Sequence, residues 1–201
     1  MKAAKIIAIE GPDRTGKATQ AGLLRDYLLS QGHKVAHFEV PFNDGVTHRA
    51  IYAMLRNGLA KKYPKVFQTV QYLNKRVFQE MHLNHLREKM DYIILDRWSL
   101  SGLVYGEAEG VPRWYSDLLF NQLVKPDVTI VLANASHAVE GRDVYEKDTV
   151  LQAKVRALYQ DMFEFNSHAQ NCGRVTVIRS AGTPHEVHQQ VCYHALGDYF
   201  G

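Results

Sequence analysis

Ile6-Ile7-Ala8-Ile9-Glu10-Gly11-Pro12-Asp13-Arg14-Thr15-Gly16-Lys17 joins a short apolar run to the pattern Gly-x-x-x-x-Gly-Lys. Beyond it, Leu23-Leu24 and Tyr27-Leu28 fall at the spacing of one helical face. Strand, glycine loop and helix in that order make a polyphosphate cradle. Backbone N–H groups and the positive end of a helix dipole turn toward the anion. Gly11, Thr15, Gly16 and Lys17 are therefore candidate nucleoside triphosphate ligands, with Lys17 a point charge for the β- and γ-phosphates.

Working outward, apolar runs that read as buried parallel strands lie at 5–10, 34–40, 92–95, 128–132 and 175–179. Helical patterns fall between them. The first stops at Gly32, and others cover 66–90, 114–123 and 150–169. The longest carries Val66, Val70, Leu73, Val77 and Met81 on one stripe, a core face or a subunit interface. Thr183-Pro184-His185-Glu186 is a capping box with proline at the first helical position. Strands alternating with helices predict an α/β fold, a five-stranded parallel sheet flanked by helices, with residues 1–201 as one domain. Ligands in such sheets sit beyond the carboxyl ends of the strands.

The chain has 201 residues, 46% of them hydrophobic, and a net charge of +3 with interleaved signs. That suits a soluble domain with a real core and offers no basic stripe for nucleic acid. No apolar run reaches the length of a membrane span, and Met1-Lys2-Ala3-Ala4-Lys5 leads into a strand, not a signal peptide. Cys172 and Cys192 lack metal or redox spacing, so reduced thiols in a cytoplasmic protein are expected. His82 with His85, and His185 with His188, share helical faces but have no third ligand at useful spacing.

Asp96-Arg97 ends the third apolar run, where a carboxylate can organise Mg²⁺ and an arginine can clamp phosphate. The residue after Lys17 is Ala18 instead of a hydroxyl-bearing metal ligand. Water at that position is the favoured substitute, since Mg²⁺ keeps several waters in such sites; Thr19 is the alternative ligand.

The segment from Glu10 to Gln20 resembles the loop of the thymidylate kinase family, Glu-Gly-x-Asp-x-x-Gly-Lys-Ser-Thr-Gln. Asp96-Arg97-Trp98-Ser99-Leu100-Ser101 is similar to that family's Asp-Arg-Tyr-x-x-Ser, with Tyr105 as the aromatic residue after it. Tyr72-Leu73-Asn74-Lys75-Arg76 resembles its Phe-x-Ala-(Asp/Asn)-Arg, Pro126-Asp127 its Pro-Asp before the fourth strand, and Gly141 to Glu146 its lid. The resemblance runs over essentially the whole chain. It implies a three-layer nucleoside monophosphate kinase fold with a phosphate-binding loop, and a lid at about 136–148. The implied reaction moves the γ-phosphate of ATP, with Mg²⁺, to a deoxynucleoside monophosphate. The acceptor is expected to be dTMP and the product dTDP, and a homodimer is implied.

Roles follow from the resemblance. Lys17, Arg14, Arg97 and Asp96 would act in catalysis, Arg14 as a cation facing the phosphoryl group in flight. Gly11, Thr15, Gly16, Lys17, Ala18, Thr19 and Arg142 would hold the triphosphate, with adenine against Ser180-Ala181-Gly182. Asp96 would serve the metal. Asp13 would bond the sugar 3′-hydroxyl, Tyr72 would stack on the acceptor base, and Arg76 would donate to a base carbonyl. Pro41, Arg97, Ser101 and Tyr145 would complete the acceptor site. Tyr105 would pack under C2′ and exclude a 2′-hydroxyl.

Three positions depart from the family pattern: Ala18, Asn43 where an arginine usually meets the acceptor phosphate, and Val144 in the lid. Arg49 is a candidate substitute for the missing arginine. Two alternatives remain open at this stage. One is a deoxynucleoside kinase, with Glu39 as its only nearby carboxylate. The other is a non-catalytic nucleotide-binding module, supported by Ala18.

Overall fold

A computed structural model describes residues 3–133, 148–165, 171–178 and 182–197. In chain order the elements begin with β1 Lys5–Glu10, α1 Lys17–Ser30, β2 Val35–Glu39, α2 Thr47–Arg56, α3 Leu59–Lys62 and α4 Pro64–Phe78. A π-helical turn, Gln79–Leu83, leads into α5 Asn84–Leu86. Then come β3 Tyr92–Asp96, α6 Ser99–Ala108, α7 Arg113–Phe120, β4 Val128–Leu132, α8 Thr149–Phe165, β5 Arg174–Ile178 and α9 Pro184–Leu196. The five strands are all parallel, in the order β2-β3-β1-β4-β5. This is the expected sheet. The topology reverses at β1, so the loop after it opens into a crevice beyond the strand ends.

Alternation along β1 divides the core. Ile7 and Ile9 face α1 and α9, packing with Leu24, Leu28, Val187 and Val191. Ile6 and Ala8 face the other layer, with Phe67 and Phe78 of α4, Leu103 of α6 and Val155 of α8. Asp127 extends the ladder past the strands. Its backbone N–H donates to Ile6 O over 2.9 Å, and its Oδ2 accepts from Ile6 N over 2.7 Å.

The helices depart from expectation in three places. Helix α6 and the short α3 have no clean apolar periodicity and were not expected as helices. The helical segment expected at 66–90 begins at Pro64 and is interrupted by the π turn. Its apolar stripe is largely exposed, although Val70 packs against the core. Val66, Leu73 and Met81 are 54%, 44% and 65% exposed, whereas Phe67, Gln68, Asn74, Lys75 and Phe78 are buried. Polar groups occupy the buried face because it serves a cleft and a hydrogen-bond network. At the last helix the capping box forms: Thr183 accepts from Glu186 N, and the Glu186 carboxylate accepts from Thr183 N over 2.7 Å.

Candidate active site

The loop between β1 and α1 is held by close backbone contacts. At Gly11, φ is 141° and a Cβ would lie 2.4 Å from Leu132 O, so only glycine fits beside the end of β4. Arg14 and Arg97 both adopt left-handed backbone, φ 66° and 71°. Such conformations in non-glycine residues persist where surroundings enforce them, typically at functional sites. Arg97 N donates to Ile9 O, which sets the corner after β3.

Lys17 is buried, and its Nζ donates to Pro12 O over 2.6 Å. Burial, with Arg97 nearby, pulls its ammonium down to about 7 despite Asp13, Asp96 and Glu10. Thr15 also closes the loop by donating to Pro12 O. Ala18 and Thr19 are exposed on the first turn of α1. Thr19 is a further ~100° around the helix from position 18 and does not occupy the same direction.

Asp13 is the hub. Its Oδ1 pairs with Arg97, while its Oδ2 accepts from Tyr105 Oη over 2.9 Å and from Gln152 Nε2 over 2.8 Å. Burial raises its pKa, but Arg97, Lys17 and the two hydrogen bonds outweigh this and hold the carboxyl below its ordinary range. Arg97 also donates to Gly11 O and Ser101 Oγ, and its charge sits over the Tyr105 ring. Much of its fork, expected on the acceptor phosphate, is thus committed to the phosphate loop. Ser101 donates to Glu10, which also accepts from Trp98 N over 2.7 Å and Ser101 N over 3.2 Å. Buried Glu10 thereby caps the start of α6 from a distant strand.

A cleft opens beside this network. Asp13, Arg97, Ser101 and Tyr105 form one wall, and Val40, Pro41, Ile51 and Leu55 another. The α4 side carries Phe67, Gln68, Gln71 and Lys75. Tyr72 and Arg76, expected at the acceptor base, do not line the cleft. They are rotated ~100° from Gln71 and Lys75. Tyr72 Oη bonds Gln122 Oε1, while Arg76 bonds Gln122 O and pairs with Glu80. The helix register is fixed by buried Asn74, which accepts from Phe42 N over 2.8 Å and donates to Phe42 O and Thr47 Oγ1.

Lys75 was missed by sequence reasoning. It is buried, with Gln71 Oε1 at 3.5 Å and the Phe120 ring beneath it, and among the described residues it has no carboxylate at ion-pair distance. Burial brings its ammonium down to about 8. The signal was Asn74: its neighbour on the buried face is Lys75, not Arg76. Gln152 was also missed, because nothing in its helix marks one glutamine as inward-facing. Arg49 does not line the cleft; it is exposed and folds onto Gly45 O, while exposed Asn43 accepts from Gly45 N.

Asp96, at the end of β3, is buried, and its carboxyl is pushed up by burial, with Arg97 and Lys17 opposing. Among the described residues nothing hydrogen-bonds that carboxylate. Glu10 and Glu39 add to the negative field there. A buried, unbonded carboxylate near Lys17 fits a divalent cation. No group of three metal-ligating side chains occurs among the described residues, so phosphates and water would supply the remaining oxygens. His188 instead contacts Cys192 Sγ at 3.4 Å, and both cysteines are buried thiols outside any disulfide.

Gly182 lies before α9, where a Cβ would meet the Glu186 carboxylate, and Gln20 of α1 donates to Pro184 O. The start of α9 and the first turn of α1 are thus neighbours. Arg142, Tyr145, Ser180, Ala181 and the lid up to residue 147 lie outside the described residues.

The family model for thymidylate kinase matches residues 9–191. The chain belongs to the thymidylate kinase family. It is 30% identical to a thymidylate kinase of Schizosaccharomyces pombe over 171 residues, which cover 78% of this chain and 75% of that protein. Its fold is similar to thymidylate kinase structures from Candida albicans and Ehrlichia chaffeensis, both at 23% identity. The first has a TM-score of 0.75, covering 94% of this chain and 89% of that one; the second has 0.70, covering 94% and 97%.

Proposed function

We propose that this chain transfers the γ-phosphate of ATP to the 5′-phosphate of dTMP, giving dTDP and ADP. The observation that carries the reading is the shared wall: Asp13 of the phosphate loop and Arg97, which bonds to that loop, both line the acceptor cleft. Donor and acceptor would therefore meet across one corner of the sheet, and positioning does most of the catalytic work.

ATP would lie on Gly11–Lys17, with Lys17 and Arg14 against the transferring phosphoryl group. An oxygen of the acceptor phosphate attacks Pγ; the bond from Pγ to the bridging oxygen breaks, and its electron pair leaves with ADP. No general base is needed, because a phosphate dianion is already a nucleophile. Tyr105, locked by its bond to Asp13, would stand under the sugar and disfavour a 2′-hydroxyl. On α4, Gln71 and Lys75 replace Tyr72 and Arg76 as the groups proposed to meet the acceptor. Mg²⁺, when bound, neutralises charge on the β- and γ-phosphates, and Asp96, directly or through water, would hold it.

A homodimer through α4 and α7 is part of this reading. Val66 and Leu73 of α4, Met81 of the π-helical turn, and Trp114 and Leu118 of α7 are exposed apolar side chains, α4 and α7 being neighbours. No helix among the described residues is long and apolar enough to cross a membrane, and a cytoplasmic enzyme is proposed.

An ADP-release assay with dTMP and thymidine side by side tests the reading. Release with dTMP supports it, and release with thymidine alone would make the chain a nucleoside kinase. ATP binding without release would leave only a binding module.

A further inference from the structure

We infer that Glu109, behind the cleft wall, is a positioning residue that sets base preference by fixing the rotation of the Gln68 amide. The inference rests on the acceptor-cleft reading above. Gln68 lines the cleft one helical turn from Gln71 and two from Lys75, and is itself buried. Its Nε2 donates to Glu109 Oε2 over 3.2 Å, and its Oε1 is buried with no hydrogen-bond partner. The other Glu109 oxygen has no partner either, so Gln68 is the one group serving that carboxylate among the described residues.

An ionised carboxylate only accepts hydrogen bonds, so Glu109 can engage only the NH₂ end of the amide. The opposite end of Gln68 is then obliged to be a carbonyl. Burial pushes the Glu109 carboxyl up to about 7, against the Gln68 bond, so the carboxylate form prevails at pH 8. An amide turned by 180° keeps its shape and reverses its chemistry. In the fixed orientation Gln68 Oε1 seeks an N–H donor, and Lys75 farther along the same face supplies a donor for a carbonyl. A 2,4-dioxopyrimidine offers both, an N3–H beside carbonyl oxygens. A 4-aminopyrimidine brings an unprotonated N3, which sets acceptor against acceptor. A site with a buried unmatched polar group rejects such an analogue far more strongly than one relying on apolar fit.

The test measures kcat/KM for dTMP and dCMP at pH 8 in wild type, Glu109→Gln, Gln68→Met and the double variant. Glu109→Gln lets the paired amides form in either direction, so the dTMP/dCMP ratio should fall about tenfold or more. Gln68→Met should lower the ratio likewise, and adding Glu109→Gln to it should change the ratio no further. A link that only braces α4 against α6 would reduce both substrates equally. An unchanged ratio in folded Glu109→Gln, with dTMP transfer intact, overturns the inference alone. A wild type that phosphorylates dCMP as readily as dTMP also overturns it. Wild type without transfer to any deoxynucleoside monophosphate overturns the acceptor reading and this inference with it.

Discussion

Gln152 donates from Nε2 to Asp13 Oδ2 over 2.8 Å, tying the first turns of α8 to the phosphate loop. With Arg97 and Tyr105 it makes three side chains from three elements converge on one carboxylate. The same stretch of α8 is anchored by Asp148, which accepts from Leu151 N and from Lys61 of α3. Helix α8 therefore sets how Asp13 faces the cleft.

Replacing Gln152 with alanine should lower kcat/KM for dTMP by roughly tenfold, the worth of one hydrogen bond to a charged group. Steady-state kinetics at saturating ATP measures it. Wild-type kcat/KM in this variant would mean that Arg97 and Tyr105 alone hold Asp13.

Lys17 should take up a proton when ATP binds. Near pH 7.5 its buried ammonium is partly neutral, and an adjacent polyphosphate favours the charged form. Titration calorimetry in buffers of different ionisation enthalpy reads that uptake. Lys17→Arg, always charged, should bind ATP without it. Equal heats in all buffers for the wild type would contradict the burial seen here.

Lys75 gives the acceptor cleft a pH dependence of definite sign. Its pKa is lowered, so the cation is present below about 8 and lost above it. The KM for dTMP should rise between pH 7 and 9, approaching about tenfold per unit at the upper end. Lys75→Met should show a high KM that is flat across this range. A wild-type KM independent of pH would remove Lys75 from acceptor binding.

Ala18 departs most clearly from the loop pattern. Ala18→Ser should supply an oxygen where a water must otherwise be ordered, and so lower the Mg²⁺ concentration for half-maximal rate. The gain should be on the order of 1 kcal/mol or less, since one oxygen ligand replaces another. An unchanged Mg²⁺ dependence would show that another group already supplies the ligand.

The strands were legible because both faces of a parallel sheet are apolar, and their ends shift by only a residue from expectation. The phosphate loop was legible because its glycines answer to backbone geometry, as at Gly11 against Leu132 O. Helix α4 misled for a physical reason. Its cleanest apolar stripe is largely exposed, while its buried face carries Lys75 together with Gln68 and Asn74, whose partners are distant in sequence. Two cation candidates one residue apart, Lys75 and Arg76, differ only by rotation about the helix, and packing decides between them. The hub at Asp13 was legible as a residue but not as a network, because Gln152 is 139 positions away.

The most direct measurement follows the label from γ-³²P-ATP with dTMP and Mg²⁺, separating the nucleotides by chromatography. Transfer to the acceptor phosphate requires label in the β-phosphate of dTDP, appearing with ADP and nearly abolished in Lys17→Ala. Label found only in inorganic phosphate, or dTDP formed equally well by Lys17→Ala, would contradict it.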